Sequence, residues 1–252
     1  LALCLAGWCN PFSRNFYLSR VVGEATDTMP AVRTVIFLIR HGDRFDYANK
    51  EVWQQRCEQL GIERADPPLS ALGHTQARET AEFLKDKGID RILCSPYLRV
   101  IQTAQPLAHA TGVKLSVEDG LAEFGHTHGT IPPAPRRYAV FPEVDLEYVA
   151  MDREYAASAE SGTKELSVDY LRRMIRMARE LPKHHAGSTV ACFSHAASVA
   201  LVAALTGCTE LQAAGKFAPC GIFKLVNDGT SDAWTLEATG EDNTGHVKTN
   251  AA

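Results

Sequence analysis

Apolar and polar positions alternate along this chain in two rhythms. The stretch Val35 to Ile39 is apolar throughout and mostly β-branched or aromatic, which predicts a strand buried on both faces. Shorter runs predict further strands at Arg91 to Cys94, Val113 to Val117, Thr189 to Phe193, Gly221 to Val226 and Trp234 to Ala238. Between them the spacing turns helical. Helices are predicted over Glu51 to Leu60, over Ala71 to Lys87 with Ser70 as N-cap and Gly88 at the end, and from Leu98 through Leu107. Pro106 should kink the last of these or start a second helix. Leu166 to Leu181 is the clearest amphipathic pattern. Tyr170, Leu171, Met174, Ile175, Ala178 and Leu181 form its inner face, and Arg172, Arg173, Arg176 and Arg179 a solvated outer one. Ala196 to Leu205 is a small-residue helix suited to close packing.

Strands alternating with helices predict an α/β fold of three layers, a mostly parallel central sheet with helices on both faces. One domain is expected over residues 32–239, after an N-terminal extension (1–31) and before a loose polar tail (240–252). Phe45 to Asn49 reads as loop. From Asp119 to about Ala150 the periodicity dissolves around Ile131-Pro132-Pro133-Ala134-Pro135, so an insertion over one edge of the sheet is expected there.

Composition adds exclusions. Of 252 residues 45% are hydrophobic and 22% charged, as in ordinary soluble domains. A net charge of −4 gives no footprint for nucleic acid or an anionic membrane, so any anion site must be a local cluster of cations. Seven cysteines without a CxxC pair argue against a disulfide scaffold and for a reducing, cytoplasmic setting. Leu1 to Cys9 is apolar but too short to span a bilayer. A signal-peptide remnant or a transit peptide, the latter suggested by Arg14 and Arg20, are the lesser readings of that end. A homodimer stays open.

The chemistry enters where the first strand stops. Arg40-His41-Gly42-Asp43-Arg44 follows the apolar run directly, at the carboxyl edge of the sheet where open α/β folds bind ligands. Ser95 and His195 end two other predicted strands, and Arg99 lies in the first helical turn after Ser95-Pro96, near a helix N-terminus with free N–H groups. Arg40, Arg44, Arg99 and His195 would then surround a dianion held at His41. A neutral imidazole can attack phosphorus while the cations hold the nonbridging oxygens. The neighbouring arginines favour that neutral form. An acid must protonate the leaving alkoxide. Asp43 and Asp46, beside the histidine, could serve as that donor or orient an arginine.

Arg40-His41-Gly42, Ser95-Pro96 with Arg99 and Thr103-Ala104, Leu69-Ser70 with Gly73, and the late His195 together resemble the histidine phosphatase superfamily, in its phosphoglycerate-mutase-like branch. That resemblance covers about Thr34 to Ala238. It implies a metal-independent, cofactor-free phosphatase in which His41 is phosphorylated and Arg40, Arg44, Arg99 and His195 bind the phosphoryl group. It also implies a proton donor in the loop after the third strand. Glu123 fits that place, with Glu118 and Asp119 as rivals. Asp43-Arg44-Phe45-Asp46-Tyr47-Ala48 departs from the mutase pattern. Arg44 with Asp46, Trp53, Asp66-Pro67-Pro68-Leu69 and Glu118 to Phe124 are more similar to phosphatases fused to ubiquitin-associated and SH3 domains and to their steroid-phosphate relatives. The expected function is hydrolysis of a phosphomonoester, small-molecule or phosphoprotein. The alternatives are a mutase and a catalytically weak module that binds phosphorylated ligands.

No metal site is expected. His126 and His128, and His184-His185, lack a cysteine or acid at ligand spacing. His74 and His109 read as surface or capping residues. Phe124 and Tyr138 could line an apolar leaving-group pocket or simply pack.

Overall fold

A computed structural model of the chain describes residues 32–61, 64–124, 140–152, 165–208, 217–238 and 245–250. Six strands form one sheet: β1 (Thr34–Arg40), β2 (Arg91–Cys94), β3 (Leu115–Val117), β4 (Thr189–Ser194), β5 (Ile222–Asn227) and β6 (Thr235–Ala238). Their order is β3-β2-β4-β1-β5-β6. The first four in that order are parallel, and β5 and β6 continue the sheet antiparallel. The expected α/β architecture is thus present, with a mixed sheet.

Alternation along β1 builds two cores. Val35, Phe37 and Ile39 face helices α3 (Ala71–Leu84) and α4 (Leu98–Thr111). Ile36 and Leu38 face α5 (Ser167–His184) and α6 (Val199–Thr206). Both faces of the central strands are therefore apolar, as their unbroken hydrophobic runs require.

Four local expectations change. Phe45–Ala48, read as loop, is a one-turn helix, α1, followed by α2 (Lys50–Leu60). Pro106 lies inside an uninterrupted α4. The inner face of α5 comprises Tyr170, Arg173, Met174, Met177 and Leu181, while Leu171 and Ile175 are exposed. The pattern of charges puts Arg173 in solvent, but its i+3 and i−4 relation to Tyr170 and Met177 sets it on the buried stripe. Last, part of the polar tail is docked: Val247 is buried, His246 stacks on Phe83, and Thr249 donates to Glu79 of α3.

Of the insertion, Asp119–Leu121 is a 3-10 turn and residues 140–152 run beside β3, with Val144 bridged to Leu115 and Phe141 buried. His126, His128 and Tyr138 lie outside the described residues.

Candidate active site

Strand register assembles the site. Arg40 pairs with Ser194, and Cys94 with Phe193, so the residues that follow, His41, His195 and Ser95, leave the sheet at neighbouring points. The ladder continues into them through His41 N–H to Ser194 O (3.0 Å) and Ser95 N–H to Phe193 O (3.0 Å). The two imidazole rings stand 5.4 Å apart in an edge-on arrangement, both buried.

Gly42 turns the chain away from β1 and against the start of α3. A Cβ on Gly42 would stand 2.8 Å from Gly73 O, and one on Gly73 only 2.1 Å from Asp43 O. Ser70 is the N-cap of α3 as expected, accepting from Gly73 N–H at 3.0 Å. It also donates to Asp43 Oδ2 at 2.6 Å. Thr103 Oγ1 accepts the Gly42 N–H at 3.1 Å and donates to Arg99 O at 2.7 Å, which ties the loop to α4.

His41 Nδ1 lies 2.7 Å from Gly42 O. A carbonyl can only accept, so Nδ1 carries the proton and Nε2 keeps its lone pair. Burial first, then the Arg99 and His195 charges, hold the His41 pKa well below its ordinary value, so the ring is neutral. Neutrality was expected from the arginines, and desolvation proves the larger cause.

Arg99 is wholly buried at the N-terminal turn of α4. Its Nη2 lies 3.2 Å from His195 Nδ1 and 3.4 Å from Glu123 Oε2, and its Nη1 donates to Ala65 O at 3.3 Å. Burial lowers its pKa to about 10, still cationic at neutral pH. The buried Nε groups of Arg40 and Arg99 have no hydrogen-bond partner among the described residues. Buried orphan donors are rare, and two on arginines whose charges act on His41 suit an oxyanion. Arg40 is oriented by Nη1 to Phe217 O (2.5 Å) and Nη2 to Tyr47 OH (3.3 Å). The α4 N-terminus is less open than expected, because Leu98 N–H is bonded to Asp66 Oδ1 at 2.8 Å.

Glu123 is the acid that reaches the group, 3.2 Å from His195 Nδ1. Burial alone would raise its pKa, but the charge and hydrogen bond of His195 and the charge of Arg99 outweigh it and hold the carboxyl well below the usual range. Of its rivals, Glu118 is engaged elsewhere. Glu118 is fully buried and accepts from Gly120 N–H, Tyr148 OH, Met151 N–H and Asp152 N–H. Asp119 is pushed up to about 6 by burial and by the nearby Glu118 and Asp152. Asp46 holds Arg44 in a two-point pair, at 2.9 Å to Nε and 2.6 Å to Nη2. Arg44, expected in the phosphate pocket, thus has Nε and Nη2 engaged by Asp46, and its guanidinium lies over the Tyr47 ring at 4.9 Å.

Ser95 Oγ lies 2.7 Å from His195 Nε2 and fixes that ring from its other side. Two contributors are not read as such in the sequence: Asp66 enters there as part of a turn and of a motif resemblance, and Arg173 as a surface cation. Among the other histidines, His109 pairs with Glu143 at the surface, and His184 lies 3.7 Å from Glu180. Phe124 is partly exposed and packs edge-on against Tyr170.

One nitrogen or oxygen each from His41, Glu123 and His195 lie within 4.8 Å of one another, a set that by type resembles a zinc site of two histidines and one carboxylate. Arg99 argues against that use, since its Nη2 sits against both His195 Nδ1 and Glu123 Oε2, where a divalent cation would meet a guanidinium. The set favours an anion.

Comparison with protein families matches residues 36–241 to the histidine phosphatase superfamily (branch 1). The chain belongs to that superfamily. Among histidine phosphatases and other curated proteins, it is 33% identical to a probable phosphoglycerate mutase of Yersinia enterocolitica, over 35% of this chain and 37% of that one. It is 32% identical to the ubiquitin-associated and SH3 domain-containing protein A of Mus musculus, over 36% of this chain and 19% of that protein. The chain thus spans well under half the length of these curated relatives. Its fold matches that of the ecdysone phosphate phosphatase of Bombix mori, solved with tungstate, at a TM-score of 0.58 and 20% identity, over 82% of this chain and 93% of that one. Among the described residues, no helix is long and apolar enough to cross a membrane.

Proposed function

We propose that this histidine phosphatase superfamily member hydrolyses a phosphomonoester through a phosphohistidine on His41. The observation that carries the reading is the His41 ring itself: neutral, with Nδ1 tied to Gly42 O, and under the charges of Arg40 and Arg99, each with an orphan Nε donor. Nε2 attacks phosphorus while Arg40, Arg99 and His195 hold the nonbridging oxygens, with Arg44 adding charge from the rim. The P–O bond to the leaving group breaks, and Glu123 gives the departing alkoxide its proton. Glu123, now a carboxylate, takes a proton from water as that water attacks the phosphohistidine. Inorganic phosphate and neutral His41 result.

The mutase reading is second. It draws support from the Yersinia enterocolitica relative, but the α1 segment, with Arg44 locked to Asp46, departs from the mutase pattern. Free phosphate released without an acceptor alcohol separates the two. Cys94, Cys192, Cys208 and Cys220 are free thiols, which suits the reducing, cytoplasmic setting we propose.

The decisive experiment is rapid quenching into alkali after mixing with a ³²P-labelled phosphate ester. We expect a base-stable, acid-labile phosphoryl group on His41, absent from His41→Ala. Equal labelling of His41→Ala would overturn the assignment.

A further inference from the structure

We infer that Arg173 is a positioning residue for the proton donor: it clamps the loop that carries Glu123 from the α5 side. The inference rests on the reading of Glu123 as the acid.

Arg173 is 1% exposed. Its Nη1 donates to Gly120 O and Ala122 O, each at 2.9 Å, and its Nη2 reaches Glu123 O at 3.4 Å. The charge is answered by Glu165, just before α5, which accepts from Nε at 2.8 Å and from Nη2 at 2.7 Å. One planar guanidinium thus gathers the carbonyls of three loop residues. The loop backbone is held while the Glu123 carboxylate stays at Arg99 and His195. The Arg173 guanidinium also lies over the Tyr170 ring at 4.9 Å, and Tyr170 packs edge-on against Phe124, the next residue of the same loop.

Stability alone is a weak reason for this arrangement. Buried ion pairs often contribute little or nothing relative to apolar replacements. Geometry is a stronger reason, because misplacing a reacting group by about 1 Å can cost on the order of 10²-fold in rate. The fork also explains why arginine and not lysine serves: several carbonyls and a carboxylate need donors in one plane.

The test uses the leaving group as a readout. An alkyl phosphate expels a strongly basic alkoxide and depends on protonation, whereas p-nitrophenyl phosphate expels a weakly basic phenolate and depends on it little. Arg173→Lys and Arg173→Met in the full chain are each expected to lower kcat/KM, which reports the phosphorylation step, for the alkyl ester about 10²-fold, within the range of lost general-acid catalysis. The fall for p-nitrophenyl phosphate should stay under about tenfold, and tungstate affinity should not fall, since the phosphate-binding groups are untouched. Combined with Glu123→Gln, either change should add little. The lysine variant keeps the test alive if the methionine variant does not fold. Equal losses on both esters, or full additivity with Glu123→Gln, would overturn the clamp. If Glu123→Gln shifts the ester ratio and the Arg173 variants do not, the clamp alone fails. If Glu123→Gln leaves the ratio unchanged, the acid assignment fails and takes the clamp with it.

Discussion

Glu123 presents a conflict that a single side chain must resolve. A general acid has to hold a proton, yet His195 and Arg99 keep this carboxyl ionised. Both are groups that a phosphoryl dianion would claim. A bound dianion would take those donors from Glu123 and repel its negative charge, and each effect raises the carboxyl pKa. Anion binding should therefore bring proton uptake. We expect calorimetry at neutral pH, in buffers of different ionisation enthalpy, to register nearly one proton taken up on tungstate binding. Glu123→Gln should take up almost none and bind tungstate about tenfold more tightly, a gain of about 1.4 kcal/mol. Equal uptake in both would show that the proton goes elsewhere. Much of this was legible at the residue scale, since His41, Arg40, Arg99 and His195 each follow a recognisable strand end. The partners of the arginines were less so. Asp46 could be read as orienting an arginine, and it does hold Arg44, but the two-point geometry of that pair was not readable.

Among elements, the contact between α3 and the loop after β1 has the tightest tolerance. Gly42 and Gly73 let two backbones touch, and Ser70 and Gln76 bond Asp43 from the α3 side. Gly73→Ala should push α3 away from that loop. We expect it to lower stability by about 1–3 kcal/mol in urea unfolding and to reduce kcat through His41. Gly112→Ala is the control. That residue closes α4 at φ +75° with open space around it, so it should lose stability by about 1–2 kcal/mol while kcat holds. A kcat for Gly73→Ala equal to that of the control would remove the argument. The start of α3 was readable because Ser70 caps it, whereas its end at Leu84 falls three residues short of the Lys87 that Gly88 suggested. The face of α5 was not, because Leu171 and Ile175 match an inward stripe as well as Tyr170 and Met174 do. The Glu165 carboxylate and the carbonyls of Gly120, Ala122 and Glu123 let a charged residue turn inward.

For the molecule as a whole, the buried neutral histidine makes folding sensitive to acid. The folded-state pKa of His41 is depressed, so below 6.5, its ordinary value, the unfolded chain binds a proton that the native state refuses. This destabilisation grows as pH falls toward the folded pKa and vanishes above about 6.5. Replacing His41 by glutamine removes it. Measured by urea unfolding from about pH 7.5 to 5, wild type should lose stability relative to His41→Gln by up to about 1.4 kcal/mol per pH unit below about 6.5. A difference that stays constant with pH would contradict the assigned neutral state. Architecture was legible as alternation of strands and helices. Strand order was not, since the antiparallel pairing of β5 with β1 depends on contacts between residues far apart in the chain.

That order has a consequence for how the protein comes into being. β1 and β2 are made early, but β4, completed only at Ser194, lies between them. Until Ser194 has left the ribosome, the first two strands have no common neighbour, and His41 has no His195 beside it. Both faces of β1 are apolar and would be open in the meantime, the kind of exposure that draws chaperones to nascent chains. The strand that joins the two halves of the parallel sheet also brings His195 to the site, so catalytic competence arrives late in synthesis.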